Sequence, residues 1–338
     1  MPSLKRFDTY KALLLVFCFA LLANLLSRLE FFEHLALSPL VIGIVLGMLF
    51  ANTLRHKLPM SWNGGILFCT KILLRLGIIL YGFRITFSQI GAMGLQGVVA
   101  SILVVVLTLT LGYIFGVKVL GLDKETSLLT AAGSAICGAA AVLAVEGVLK
   151  NEPHKSAVAV GTVVLFGTLA MFAYPLAYQL GWVPFDMGQE GLYIGASVHE
   201  VAQVVGAGSA IAPEVADSAI IVKMFRVMLL VPVLMVIAWM FQTQAEGEKR
   251  TVVIPWFAIG FIVVAGFNSL HLLSTNVIAS ITLVDTFLLT MAMSALGMET
   301  HFKKFKGVGG KAMLLALVLF GWLVVGGFFI VQACTRYL

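Results

Sequence analysis

Long apolar runs, separated by short polar segments, recur along most of the chain. Runs of this length are typical of membrane-spanning helices, whereas a membrane β-barrel would show short strands of alternating polarity. The pattern therefore predicts an all-α polytopic membrane protein with about 9–11 transmembrane helices. Nine full spans are predicted, at 12–26, 38–54, 63–83, 93–117, 156–180, 218–241, 254–270, 275–297 and 312–332.

Two further apolar stretches, 125–149 and 188–211, differ from these spans. Both are rich in Gly, Ala and Ser, and both contain a glycine-bearing interruption near their middle. Glycine lowers helix stability, so each stretch predicts either a broken helix or a re-entrant hairpin. If both stretches cross the bilayer, the nine spans become eleven crossings.

The composition agrees with a lipid environment. Apolar residues make up 60% and charged residues 11% of the 338 positions, whereas a soluble domain carries about 25% charged residues. This excludes a soluble enzyme, a disordered chain and a nucleic-acid binder. The four cysteines are isolated, and no nucleotide-binding motif occurs, so we predict no disulfide, metal or other cofactor. The chain is predicted to form one transporter domain, 1–338, with approximate halves 1–184 and 185–338.

Loop charges predict the orientation of the chain. Lys5 and Arg6 place the N-terminus in the cytoplasm, because basic loops stay inside. If the two glycine-rich stretches re-enter, Lys150 and Lys155 lie inside, and the segment around Asp186, which lacks Lys and Arg, lies outside. The re-entrant arrangement fits this rule better than full crossing does.

The chain also resembles itself in two places. Residues 73–83 align with 288–298 at a shift of 215 residues, and residues 133–140 align with 195–202 at a shift of 62. In the predicted topology both pairs run in opposite directions, as in inverted-repeat transporters. One linear duplication cannot produce both shifts, so either a permutation occurred or one match is accidental.

The two interruptions are the candidate binding site. Non-helical backbone at membrane depth survives only where protein or a water-filled cavity satisfies it, and a half-helix that begins there directs free N–H groups at the cavity. The alternative is that small residues only let helices pack, as we predict for Gly43 and Gly47. The candidate anion-binding residues are Gly133, Ser134, Ile136, Cys137 and Gly138 in the first stretch, and Gly195, Ser197, His199 and Glu200 in the second.

Ionisable residues within the predicted spans are further candidates, because charge is costly in a bilayer. Basic residues outnumber acidic ones, which favours an anionic substrate. The alternative is that they form structural pairs, such as Lys71 with Asp285. The basic residues are Lys71, Arg75, Lys223 and Arg226, and the acidic residues are Glu146, Glu200 and Asp285.

The dipeptide His199-Glu200 predicts proton handling, because histidine changes charge near neutral pH. The run His199-Glu200-Val201-Ala202-Gln203 lacks the second histidine of a zinc peptidase motif. No nucleophile–base pair stands out, so we do not predict an enzyme.

Several stretches together resemble the YeiH family of bacterial inner-membrane proteins, a family designated as sulfate exporters. The resemblance implies a multi-span secondary transporter in the inner membrane and a sulfur oxyanion such as sulfate or sulfite. The matching stretches are 73–78, 80–84, 133–141, 198–205, 223–227 and 295–298, so the resemblance covers most of the chain.

The leading hypothesis is export of a small anion, driven by an ion gradient. Backbone N–H groups, Ser134 and Ser197 would hold the anion, while the four intramembrane cations would offset its charge. His199, Glu200 and Asp285 would couple transport to a proton or sodium ion. The alternatives are a cation/proton antiporter, with Asp285, Glu146 or Glu200 binding the ion, and a membrane sensor or scaffold without flux. Transporters of this kind suggest a homodimer in the lipid bilayer.

Overall fold

The computed structural model describes residues 2–29, 38–54, 59–149, 151–241, 256–300 and 309–338. Within these ranges the regular structure is helical and contains no strand, which confirms the predicted fold class. Lys150, on which part of the orientation argument depends, lies outside them. The helices are α1 (Pro2–Leu26), α2 (Pro39–Thr53), α3 (Met60–Arg84), α4 (Phe87–Val119), α5 (Lys124–Ala135), α6 (Ala139–Leu149), α7 (Pro153–Gln179), α8 (Met187–Ser197), α9 (Val201–Ser209), α10 (Pro213–Met240), α11 (Trp256–Asn268), α12 (Thr275–Glu299) and α13 (Gly310–Tyr337).

Seven of these helices are long and apolar enough to cross a bilayer, counted over the described residues. They are α1, α3, α4, α7, α10, α12 and α13, and each corresponds to a predicted span. Two other predicted spans, 38–54 and 254–270, coincide with the shorter apolar helices α2 and α11. The chain is therefore a polytopic helical membrane protein, while the inverted repeat and the re-entrant topology stay predictions.

Contacts divide the chain into two units. The first comprises Met1–Ile90 and Trp256–Phe302, and the second comprises Gly91–Pro255 and Lys303–Leu338. The first unit contains α1, α2, α3, α11 and α12. The predicted division into approximate halves at residue 184 stays a prediction.

Glycines bring α2 against α12 in the first unit. A Cβ at Gly43 would lie 2.7 Å from the Ser294 hydroxyl oxygen, and one at Gly47 would overlap the backbone of α12. The two helices therefore approach at backbone distance, which small residues allow. This confirms the packing role predicted for Gly43 and Gly47.

The second unit contains both interrupted stretches. Helices α5 and α6 follow one another with a three-residue gap, as do α8 and α9. Helix α8 packs closely on α10, since a Cβ at Gly195 would overlap the carbonyl oxygen of Ala219. The Tyr193 hydroxyl donates to the carbonyl of Val324 at 2.7 Å, which fixes α8 against α13. These contacts bring one face of α10 to the two gaps.

Candidate functional site

The first gap separates α5 from α6. Helix α5 ends at Ala135, Ile136 leaves helical geometry with φ −114° and ψ −85°, and Gly138 adopts φ +75°. A side chain at Gly138 would be strained at this φ, and its Cβ would overlap the side chain of Glu200. Glycine is therefore required here both by the left-handed turn and by the close approach of the second gap.

The second gap separates α8 from α9. Helix α8 ends at Ser197, and Val198 and Glu200 are extended, with ψ 145° and 152°. Helix α9 then begins at Val201. The chain thus presents carbonyl groups at the end of α8 and N–H groups at the start of α9, within a few residues of each other.

Lys223, on α10, binds the carbonyl ends of both helices. Its Nζ donates to the oxygens of Ile136 at 2.7 Å, Val198 at 2.8 Å and His199 at 2.5 Å. Its side chain is completely buried. Three acceptors match the three N–H groups of an ammonium, so the geometry is that of the charged form.

Arg226 lies three residues further along α10 and serves the same carbonyl ends. Its guanidinium makes five hydrogen bonds, to the carbonyl oxygens of Ser134, Ala135, Gly195 and Val198, at 2.5–3.2 Å. An arginine has five N–H groups, so all of them are used. Arg226 is also completely buried.

The two cations therefore neutralise two helix C-termini. The last carbonyls of a helix lack partners and carry about half a negative charge, which is costly away from water. Lys223 and Arg226 satisfy these groups at the ends of α5 and α8. Their N–H groups are thus engaged by backbone rather than directed at an open space, and their predicted role in offsetting the charge of an anion stays a prediction.

Glu200 has the complementary position at the two helix N-termini. Its Oε1 accepts the N–H of Ala139, the first residue of α6, at 3.0 Å. It also forms a capping box with Gln203 at the start of α9, in which Gln203 Oε1 accepts the Glu200 N–H at 3.0 Å. One carboxylate therefore occupies the place where a half-helix start would attract an anion.

Three buried polar atoms at or beside the two gaps have no hydrogen-bond partner among the described residues. They are the Ser134 hydroxyl, His199 Nδ1 and Gln203 Nε2, and each side chain belongs to a residue at most 1% exposed. Hydroxyl and amide groups donate hydrogen bonds, so the first and third need an acceptor. Unsatisfied buried groups of this kind commonly mark a functional site.

The remaining predicted residues of the two gaps have structural contacts. The Ser197 hydroxyl donates to the carbonyl of Tyr193 in its own helix. Gly133 accepts the N–H of Gly138 at 3.0 Å, and Cys137 is a buried free thiol. The structure thus brings together the predicted residues of both gaps with Lys223 and Arg226.

The other predicted residues belong to the first unit. Asp285 is completely buried and pairs with Arg84, whose Nη2 lies 2.5 Å from its Oδ2. The alternative pairing of Asp285 with Lys71 is therefore wrong, because Lys71 and Arg75 are exposed. The roles predicted for Lys71, Arg75 and Asp285 in binding or coupling stay predictions.

An ion-pair cluster fixes the start of α5. Asp123 caps the helix by accepting the Thr126 N–H at 2.9 Å, and Lys155 lies 3.2 Å from Asp123 and 2.7 Å from Glu125. Partial burial opposes ionisation of Asp123, but the Thr126 hydrogen bonds and Lys155 outweigh it and lower the pKa of this carboxyl below its usual value. The cluster joins α5 to α7 and so fixes the helix that ends at the first gap.

Sequence reasoning missed three polar residues, namely the half-buried Arg84 and the buried Glu190 and Gln203. Arg84 and Gln203 lie within the stretches 80–84 and 198–205, which resemble the YeiH family, but no role was predicted for them. Glu190 is completely buried in the first turn of α8, although its neighbourhood was predicted as an outer loop. The sequence feature that could have indicated its burial is the spacing: Glu190 precedes Tyr193 by three residues and Ser197 by seven, so all three lie on one helical face.

Comparisons with known proteins place the chain among bacterial membrane proteins. A family model described as "Conserved hypothetical protein 698" matches residues 11–316. A UPF0324 membrane protein of Bacteroides thetaiotaomicron is 48% identical over 331 residues, covering 96% of this chain and 98% of the relative. The UPF0324 inner membrane protein YeiH of Escherichia coli is 53% identical over 293 residues, covering 86% and 84%. No solved structure matches. The chain therefore belongs to the Conserved hypothetical protein 698 family, which confirms the resemblance to YeiH.

Proposed function

We propose that the protein is a secondary transporter of the bacterial inner membrane that exports a small anion, coupled to an ion gradient. The observation that carries this proposal is the charge at the two gaps. Lys223 and Arg226 contribute two positive charges, and Glu200 contributes one negative charge. The partial charges of the four helix ends, two positive at the N-termini and two negative at the C-termini, largely cancel. Among the described residues at the gaps, one positive charge remains, which an anion would balance.

The hydrogen-bonding groups support an anionic ligand. The unpartnered Ser134 hydroxyl and Gln203 amide donate hydrogen bonds, and they belong to α5 and α9, on either side of the gaps. An oxyanion offers several acceptor oxygens to such donors. The resemblance to YeiH suggests sulfate or sulfite.

Lys223 and Arg226 would act on the anion mainly through the electrostatic field of their charges. Their N–H groups hold backbone carbonyls, so they would attract the anion without direct contact, and they would hold the gaps open against collapse. The direct ligands would then be Ser134, Gln203 and His199. Movement of the helix segments around the gaps would give access from alternate sides.

The cation-antiport alternative has less support from the carboxylates named for it. Asp285 binds Arg84, and Glu200 binds amide groups of α6 and α9. These two carboxylates thus already have donors, whereas Glu146, the third carboxylate named for this alternative, is half-buried in α6. The coupling roles of His199 and Glu200, the cytoplasmic N-terminus and a homodimer stay predictions.

The test is uptake of radiolabelled sulfate into proteoliposomes, with sulfite as competitor and an imposed pH gradient. We expect uptake that sulfite reduces, and counterflow when the vesicles are preloaded with sulfate. S134A should reduce counterflow, whereas S127A should not, because Ser127 on the same helix already donates to the carbonyl of Asp123. Absence of anion counterflow, with sodium-dependent proton movement in the same vesicles, would replace the proposal with cation antiport.

A further inference from the structure

Glu190 has an unusual environment for a carboxyl group. It lies in the first turn of α8 and is 0% exposed. Neither of its carboxyl oxygens has a hydrogen-bond partner among the described residues. The residues one turn earlier, from Asp186 to Gly188, are exposed. Glu190 is therefore buried directly beneath the surface at one end of α8.

The described side chains around Glu190 offer no counter-charge. The neighbouring Gly191 packs on α10, where a Cβ would overlap Ser218 and lie 2.9 Å from the Val215 carbonyl. Further along α8, Tyr193 belongs to an aromatic cluster whose ring centroids lie 4.8 Å (Tyr174) and 5.6 Å (Phe185) from its own.

The titratable groups on the packed helices lie elsewhere or are uncharged. The phenols of Tyr174, on α7, and Tyr193 pack against each other. On α10, Lys223 and Arg226 bind the far end of α8, Glu214 is exposed, and Asp217 is partly exposed. Helix α13 carries its charged residues, Lys311 and Arg336, at its exposed ends, and α9 has none.

An isolated carboxylate in such a place is strongly disfavoured, whereas the neutral acid is tolerated. We propose that Glu190 carries a proton in this conformation and is the proton-binding group of the transporter. The inference rests on the proposed function and names the coupling ion as the proton. The inference thus assigns a functional role to a residue that lies outside the two gaps.

One face of α8 connects Glu190 with the second gap. Glu190, Tyr193 and Ser197 lie at i, i+3 and i+7 on α8, which spans about 10 Å along the helix axis. Tyr174 packs against Tyr193 of this face. When Glu190 releases its proton, the proton passes to water at the exposed first turn, and the carboxylate left behind balances the positive charge at the gaps.

The experiment uses the full-length protein in liposomes, with pH gradients of both polarities, and compares E190Q with E214Q. Glu214 is a matched control, because it lies in the first turn of α10 but is exposed. We expect E190Q to decrease the rate of gradient-driven anion uptake about tenfold or more. Anion counterflow should persist in this variant, because it needs no net proton movement. E214Q should behave as the unmodified protein. Gradient-driven uptake that persists in E190Q overturns the inference.

Infrared spectroscopy tests the proton directly. The carbonyl stretching band of a protonated carboxylic acid should be present in the unmodified protein and in E214Q, and it should lose intensity in E190Q. An unchanged band overturns the inference even if transport is lost. E190D, which keeps an acid, should restore gradient-driven uptake if E190Q fails through coupling rather than folding. If the unmodified protein shows no anion counterflow, the proposed function fails, while the infrared comparison still decides whether Glu190 is protonated.

Discussion

The carboxylate of Glu200 accepts the N–H of Ala139 across 61 residues of sequence, at 3.0 Å. Through this bond the Glu200 carboxylate lies at the start of both α9 and α6. Lys223 makes the matching connection on the carbonyl side, between Ile136 and Val198. The two gaps are therefore electrostatically connected. Lys223 and Arg226 bind the carbonyl ends of the helices, and the Glu200 carboxylate binds the N–H groups at the helix starts.

Substitution of Gly138 tests how closely the two gaps approach. Gly138 has φ +75°, and its added Cβ would overlap Glu200. The left-handed conformation alone costs a non-glycine residue about 1–2 kcal/mol. We expect G138A to lower the thermal unfolding temperature of the detergent-purified protein and to reduce anion counterflow.

The matched control for G138A is G147A, in helix α6. A Cβ at Gly147 would meet nothing within 4 Å. Alanine is favoured over glycine inside a helix by about 0.5–1 kcal/mol, so G147A should unfold at the same or a higher temperature. Equal unfolding temperatures for G138A and the unmodified protein would show that the gaps do not approach as described.

Removal of the charge of Glu200 tests its role as a shared cap. E200Q keeps a side-chain oxygen for the Ala139 N–H but places no full charge at the two helix starts. An anion at a partly buried helix start contributes up to about 2 kcal/mol. We expect E200Q to unfold at a lower temperature than E152Q, because the Glu152 side chain is 71% exposed and caps no N–H group. Similar melting of the two variants would contradict the capping role.

The helical fold was predictable because crossing a lipid bilayer demands long apolar helices, and long apolar runs in the sequence reveal them directly. Its predicted site residues from both gaps also lie together, since glycine and small residues mark places where a helix is easily interrupted. The partners of the charges were not predictable in the same way. Nothing in the pattern shows that Lys223 and Arg226 would bind carbonyl oxygens, because such partners depend on how α10 packs across the helix ends.

Asp285 and Glu190 illustrate the same limit. Three basic residues of α3, namely Lys71, Arg75 and Arg84, were available to pair with Asp285, and only the packing of α3 on α12 selects Arg84. Glu190 follows an exposed helix cap, so its sequence neighbours suggest a surface residue. The neighbouring Gly191 packs on α10, a contact that the residues adjacent to Glu190 in the sequence do not reveal.

The Asp123 cluster predicts how stability depends on pH. The pKa of Asp123 is lowered in the folded protein, so its stabilising contribution is present above the unfolded pKa and is lost as the pH falls through the folded one. Because the side chain is 47% exposed, the effect should be at most about 1 kcal/mol. We expect D123N to unfold earlier than the unmodified protein at pH 7, with a difference that shrinks toward pH 3. A difference that grows on acidification would contradict the assignment.

The Arg84–Asp285 pair gives a double-mutant test within the first unit. Arg84 Nη2 also donates to the Thr286 hydroxyl at 2.7 Å, and Asp285 is 0% exposed. Removing one partner of a buried ion pair leaves an uncompensated charge, at a cost of about 3–5 kcal/mol, whereas neutral replacement of both is far less costly. R84Q alone should therefore melt well below the unmodified protein, and R84Q/D285N should recover much of the loss. K71Q, which changes an exposed lysine on the same helix, should leave the melting temperature unchanged. If D285N fails to rescue R84Q while K71Q destabilises, Lys71 rather than Arg84 is the partner of Asp285.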